Sequence, residues 1–200
     1  SYLTQNDKNK PVAKLTLKIE GTRGSAIWKG IKLDRWITAS ENGGTPCYNK
    51  YDDVVNIKVW YDEDGDGLFD ETKDRYVNLP SVKPRVFPAS TLLEPITSTD
   101  TVIKVQDISV YFPVDSPFDP APGRLIINDD QVDPNMKEVV YYSSIDYQNN
   151  AFTDVIRGVE GTLARDWSSG TVISGQAVVP IIGDENNPEG QIIYPQPKDY

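Results

Sequence analysis

Residues 61–74, YDEDGDGLFDETKD, carry the strongest chemical signal in the sequence, because acidic residues recur in this segment at regular spacing. Side chains at alternate positions of a tight loop, here Asp62, Asp64 and Asp66, converge on one point, and glycines permit the sharp turn. This spacing is that of the first half of a calcium-binding loop. The segment therefore predicts a metal site built from oxygen ligands.

We expect the metal to be calcium, a hard cation that takes about six to eight oxygen ligands. The expected ligands are five carboxylates and one main-chain carbonyl, from Asp62, Asp64, Asp66, Leu68 (the carbonyl), Asp70 and Asp74. A helical EF-hand has glutamate at the twelfth loop position, which is Lys73 here, so Asp74 or Glu71 must complete the site. The alternative is a solvated acidic hairpin tip without metal, which the mutual repulsion of such closely spaced carboxylates disfavours.

The residues on both sides of the acidic segment predict strands rather than helices. Residues 54–60 are rich in β-branched and aromatic side chains, and residues 75–77 resume as the partner strand. Upstream, strict apolar alternation over residues 12–19 predicts a half-buried strand, and residues 26–37 predict a second strand or pair. Residues 40–53 carry the turn signals of a long loop.

Composition narrows the classes of function. The formal net charge is −10 and the pI about 4.5, so the surface repels nucleic-acid phosphates and anionic lipid. No segment approaches the ~20 apolar residues of a membrane span. The chain has no histidine, the commonest general base and zinc ligand, which disfavours an enzyme. The single Cys47 excludes an intrachain disulfide, and we expect it to be a turn residue.

Trp28 and Trp36 are the candidate carbohydrate platform of the first half of the chain. Exposed indoles stack on sugars, whereas buried ones pack between the sheets of a β-sandwich, and packing is the commoner use. Carbohydrate therefore remains a candidate ligand.

Residues 14–17, 27–31 and 57–74 together resemble a calcium-loop module of large exported bacterial and archaeal surface proteins. The module's loop has the form D-x-N/D-G-N/D-G-x-x-D-x-x-x-D, which the acidic segment matches position by position from Asp62 to Asp74. The resemblance covers residues 11–80. It implies an Ig-like β-sandwich, bound calcium and an extracellular or cell-surface location.

The second half of the chain predicts a separate β domain. Four prolines between residues 80 and 98 oppose a continuous central strand, so we expect a linker over residues 81–98. Apolar and β-branched runs then predict strands over residues 102–105, 124–127, 137–142, 151–156 and 170–179. These runs place the second domain at residues 99–182.

This second domain is similar to a small β module of phage tail and baseplate proteins and of exported surface proteins. Residues 138–142 fit its E-x-x-x-Y strand, residues 157–162 its R-G-x-x-G-T turn, and Phe112-Pro113 an earlier step. The resemblance implies a small β-sandwich or barrel. Arg157 is expected to tether the turn through its fork of donors rather than to act in catalysis.

The sequence therefore predicts an all-β, non-catalytic protein of an extracellular structural or surface assembly, namely a filament, sheath or adhesin module, stabilised by calcium. The alternatives are a phage tail or baseplate component and a carbohydrate-binding module; a two-carboxylate glycosidase is disfavoured. Residues 1–10 and 183–200 are expected to be arms that engage a neighbouring module or a second copy by strand addition, or linkers of a longer chain.

Overall fold

A computed structural model of the chain describes residues 11–17, 25–34, 56–78, 87–111, 120–129, 133–182 and 191–193. These residues form an all-β structure, as predicted, with single 3₁₀ turns at Ser109–Tyr111 and Pro134–Met136. No helix long and apolar enough to cross a membrane occurs in these ranges.

The described strands are short, as expected for a chain with prolines and glycines throughout. In chain order they are β1 (Ala26–Trp28), β2 (Gly30–Leu33), β3 (Trp60–Tyr61), β4 (Arg75–Tyr76), β5 (Ala89–Thr91), β6 (Ile103–Lys104), β7 (Gly123–Ile127), β8 (Glu138–Tyr142), β9 (Ser144–Asp146), β10 (Ala151–Thr153), β11 (Ile156–Val159), β12 (Val172–Gly175), β13 (Ala177–Pro180) and β14 (Gln191–Ile193).

The chain divides into two compact units that are not continuous in sequence. Unit 1 comprises Ser1–Ile31, Ile57–Pro80 and Pro180–Tyr200, and unit 2 comprises Lys32–Asn56 and Ser81–Val179. The chain changes unit four times, after residues 31, 56, 80 and 179, and the first and last of these changes fall within β2 and β13. The units therefore differ from the expected domains at 11–80 and 99–182.

Unit 1 contains two small antiparallel strand pairs. β1 pairs with β14, with Ala26 opposite Ile193 and Trp28 opposite Gln191, so part of the expected C-terminal arm lies on a strand of its own chain. β3 pairs with β4 on either side of the acidic segment, as predicted.

The strand predicted over residues 12–19 is wrong for the described part. Residues 11–17 belong to none of the described strands, and Val12, Leu15 and Leu17 are exposed. Alternation creates an amphipathic strand only where a partner strand and a facing layer are available to bury its apolar side.

Unit 2 contains a five-stranded antiparallel sheet, in the order β11-β8-β7-β12-β5, and a three-stranded one, β6-β10-β9. Two connections join the sheets. The bridge between Leu92 and Val105 directly follows β5 and β6, and Ser143 is the single residue between β8 and β9. The predicted linker is therefore corrected from residue 87 onward: β5 is an edge strand of the larger sheet, where flanking prolines are tolerated.

The core of unit 2 is shared by both sheets. Phe152 is completely buried and packs against Tyr111 and Tyr142, with ring centroids 5.0 and 4.7 Å away. The hydroxyl of Tyr111 donates to the carbonyl of Ile173 at 2.7 Å, so its polar tip is satisfied inside the core.

Candidate metal centre

The β3–β4 pair holds the two ends of the acidic segment together. Trp60 lies opposite Tyr76 in the ladder, and its ring also contacts Phe69 within the loop, with centroids 5.4 Å apart. Asn78 extends the pairing: its side-chain Oδ1 accepts from the Val59 N–H at 2.6 Å, and its Nδ2 donates to the Ile57 carbonyl at 3.0 Å. These contacts bring Asp62, just after β3, close to Asp74, just before β4.

Carboxylates shape the first part of the loop by accepting hydrogen bonds from main-chain N–H groups further along. Asp62 Oδ2 accepts from Gly67 at 2.9 Å, Asp64 Oδ1 from Asp66 at 3.2 Å, and Asp66 Oδ1 from Leu68 at 2.6 Å. Gly67 has a φ of +77°, a conformation that favours glycine. The turn predicted from the sequence is thus present.

Three of the predicted ligands come together. Carboxylate oxygens of Asp62, Asp64 and Asp74 all lie within 4.8 Å of one another. Asp74 is only 9% exposed. Its Oδ1 and the Oδ1 of Asp62 are buried and have no hydrogen-bond partner among the described residues.

Such an arrangement is costly without a counter-charge, because a buried carboxylate oxygen without a donor forfeits the hydrogen bonds it makes in water. A cation bound by the three carboxylates would compensate both the orphaned oxygens and the mutual repulsion. Carboxylate oxygen donors suit a hard divalent ion such as calcium or magnesium.

The predicted carboxylate ligands Asp66 and Asp70 are not members of this group. Asp70 Oδ1 accepts from the N–H and hydroxyl of Thr72 at 2.9 and 2.7 Å, and these bonds hold the Asp70 carboxyl pKa below its usual value. Asp66 Oδ1 accepts from the Leu68 N–H at 2.6 Å, and the Leu68 carbonyl ligand stays a prediction. The Asp70 carbonyl accepts from the Asp74 N–H at 2.8 Å, which forms a main-chain turn just before β4.

Two lysines lie beside the acidic loop. The Lys14 ammonium donates to the Gly67 carbonyl at 3.0 Å and lies 4.0 Å from Asp62 Oδ2. The Lys73 ammonium lies 3.6 Å from Asp64 Oδ2, and the negative potential of Asp64, with that of Asp70 and Asp66, raises the pKa of Lys73. Sequence reasoning named Lys73 as a non-ligand but did not anticipate Lys14.

In unit 2, Arg157 is held by the buried Glu138. Its guanidinium donates to both carboxylate oxygens of Glu138, at 2.7 and 2.8 Å, and to the carbonyls of Thr97 and Arg165. Glu138 also accepts from the indole N–H of Trp167 at 2.7 Å. Arg157 therefore tethers the turn, as predicted from its donor fork.

A buried polar cluster in unit 2 escaped sequence reasoning. Lys137, only 2% exposed, donates to Asp129 Oδ1 at 2.8 Å, and the Ser174 hydroxyl donates to Asp129 Oδ2 at 2.7 Å. The sequence feature that could have indicated this cluster is Lys137, a lysine directly before the mostly apolar strand β8. A serine hydroxyl that is buried and donates to a carboxylate already paired with lysine suits a structural bond rather than nucleophilic attack on a substrate.

The two described tryptophans of unit 1 make contacts within the protein. Trp28 is half-buried and its indole donates to the Gly30 carbonyl at 2.8 Å, whereas Trp60 packs in the aromatic cluster described above. Trp36 and Cys47 lie outside the described residues.

No family model, no curated protein and no solved structure matches the chain. Its function therefore rests on the chemistry of its own residues.

Proposed function

We propose that the chain is a calcium-binding, non-catalytic module of an extracellular or cell-surface assembly. The observation that carries the calcium site is the convergence of Asp62, Asp64 and Asp74, two of which hold a buried oxygen without a partner among the described residues. Bound calcium would clamp the start and end of the loop to each other. Unit 1 belongs to an Ig-like sandwich in this proposal.

Calcium is favoured over magnesium because the proposed ligands are several carboxylates and a main-chain carbonyl from one loop. Magnesium demands a nearly ideal octahedron and keeps several waters, whereas calcium accepts carboxylates and main-chain carbonyls in variable geometry. In the proposed site the Asp66 and Asp70 carboxylates and the Leu68 carbonyl complete the calcium shell, which is the set expected from the spacing. Ligands that bind the folded state alone stabilise it by mass action.

Isothermal titration of the full chain with calcium, and separately with magnesium, tests the site. We expect calcium to bind more tightly and to raise the melting temperature. Asp64→Asn is the informative variant, because Asp64 is exposed and asparagine retains the Oδ1 that accepts from Asp66. Asp133→Asn is the matched control, since Asp133 is an exposed aspartate in unit 2 whose Oδ1 accepts from the Asn135 N–H.

Loss of calcium binding in Asp64→Asn with retention in Asp133→Asn supports the site. Equal affinity in both variants, or no calcium-induced rise in melting temperature of the parent chain, contradicts it.

The non-catalytic part of the proposal is supported by the hydrogen bonds of Arg157, which the sequence analysis weighed for catalysis, and of Ser174 in the buried polar cluster. Arg157 is bound to Glu138, and the serine of the buried cluster donates to Asp129. Turnover by purified protein in a broad screen of glycosidase and esterase substrates, surviving a second purification step, would overturn it.

The assembly part of the proposal is that residues 183–200 pair with β1 of a second copy. The pairing of β14 with β1 supports it, because the same three-residue ladder can form between copies. In a Cys47→Ser background, Ala26→Cys combined with Ile193→Cys places cysteines at opposed positions. A covalent dimer on oxidation supports pairing between copies. A disulfide within one chain, together with a monomeric mass of the parent chain by light scattering, contradicts it.

A further inference from the structure

Lys73 occupies the loop position at which a helical EF-hand has its closing glutamate, and its ammonium lies between two carboxylates of the acidic loop. Its Nζ is 3.6 Å from Asp64 Oδ2 and 3.7 Å from Asp70 Oδ2. Both distances exceed those of a short charged hydrogen bond, and the Lys73 side chain is 54% exposed. The contact is therefore electrostatic and easily broken.

Asp64 has two roles in this geometry. One of its oxygens belongs to the group that converges with Asp62 and Asp74, and its Oδ2 faces Lys73. A cation bound at that group would lie close to the lysine ammonium. Two positive charges a few ångströms apart repel measurably even where water screens them, and the repulsion doubles for a divalent ion.

We propose that Lys73 is an internal competitor of the metal, which neutralises Asp64 and Asp70 in the metal-free loop and lowers the affinity of the loop for calcium. This inference rests on the calcium site proposed above. Lys14 acts differently, because its ammonium is bound to the Gly67 main-chain carbonyl rather than placed between two carboxylates.

Calcium titration of four full-length proteins at low salt tests the inference: the parent chain, Lys73→Gln, Lys73→Arg and Lys104→Gln. Lys104 is the control, an exposed lysine of unit 2 paired with Glu94 at 3.0 Å, and its replacement changes the net charge equally. We expect Lys73→Gln to bind calcium about tenfold more tightly, and Lys73→Arg and Lys104→Gln to bind like the parent. The gain should shrink at ~1 M salt, where exposed charges are screened.

Thermal melting separates competition from a purely structural role. In chelator, Lys73→Gln should melt below the parent, because its carboxylates have lost their counter-charge, and in saturating calcium it should show the larger rise. A structural role alone would lower the melting temperature in both conditions without changing calcium affinity.

The outcomes distinguish this inference from the proposed site. If the parent binds calcium and Lys73→Gln binds it equally or more weakly, the competitor role is overturned while the site stands. If neither protein binds calcium, the site fails and the competitor role with it. Binding by Lys73→Gln but not by the parent supports the competitor role, although it overturns the proposal that the parent chain itself binds calcium.

Discussion

The Glu138 carboxylate and the Arg157 guanidinium form a two-bond ion pair inside unit 2, with side chains 0% and 6% exposed. Glu138 begins β8 and Arg157 lies in β11, the neighbouring edge strand. The same carboxylate accepts from the Gly158 N–H at 3.1 Å and the Arg165 N–H at 3.2 Å. One buried charge thus organises the turn that follows β11.

Replacement of Glu138 by glutamine should destabilise unit 2 by about 3–5 kcal/mol, because it leaves the Arg157 charge buried without a counter-charge. Denaturant unfolding followed by tryptophan fluorescence measures this, since Trp167 donates to Glu138. Glu94→Gln is the control: its pair with Lys104 is exposed, and its loss should cost less than ~1 kcal/mol. Equal losses in the two variants would contradict the role given to the buried pair.

Two glycines of the turn after β11 provide a matched steric test. Gly158 and Gly161 have φ values of +62° and +78°, so alanine is conformationally strained at both. A Cβ on Gly158 would lie 2.7 Å from the Ala164 main-chain nitrogen, whereas a Cβ on Gly161 would meet open space. We expect Gly161→Ala to cost about 1 kcal/mol and Gly158→Ala clearly more, because overpacking adds to the strain. A larger loss for Gly161→Ala in urea unfolding would refute this assignment.

Glu160 should make stability depend on pH in the acidic range. Arg124 donates to both of its oxygens, at 2.7 and 2.8 Å, and with Tyr141 holds the Glu160 pKa below its usual 4.5. Because the folded-state pKa is the lower one, the stabilisation is complete above the unfolded value and is lost as pH falls through the folded one. The parent chain should therefore melt above Glu160→Gln by a constant difference near neutral pH, and this difference should shrink below about pH 4.5. A gap that persists unchanged to pH 3 would argue against the shift.

Asn78 should position the metal loop without touching metal. Asn78 is 1% exposed. Its side-chain amide bonds the Val59 N–H and the Ile57 carbonyl, as a neighbouring strand would, in the segment that leads into β3. Asn78→Ala should cost about 1–3 kcal/mol, because it leaves partly buried main-chain groups without partners, and it should also weaken calcium binding. Asn149→Ala, which removes an exposed amide bonded to Asp146, is the control. Unchanged stability and calcium affinity in Asn78→Ala would remove Asn78 from the supporting structure of the loop.

Local patterns in the sequence determined the all-β class, the hairpin that carries the acidic loop and the strand at residues 138–142. They succeeded because strand period, turn glycines and β-branched runs act over a few residues. The donor fork of Arg157 predicted its role as a tether, although the sequence contained no sign that Glu138 is its partner.

Tertiary structure decided everything that depends on pairing across long separations. It brought the carboxylates of Asp62, Asp64 and Asp74 together, because β3 and β4 hold the two ends of the loop side by side. It placed β14 against β1, with Ile193 opposite Ala26, 167 residues earlier in the chain (193 − 26), and it buried Lys137 against Asp129. Such contacts depend on which partner surface is available after long loops close, and single-sequence periodicity does not encode that choice.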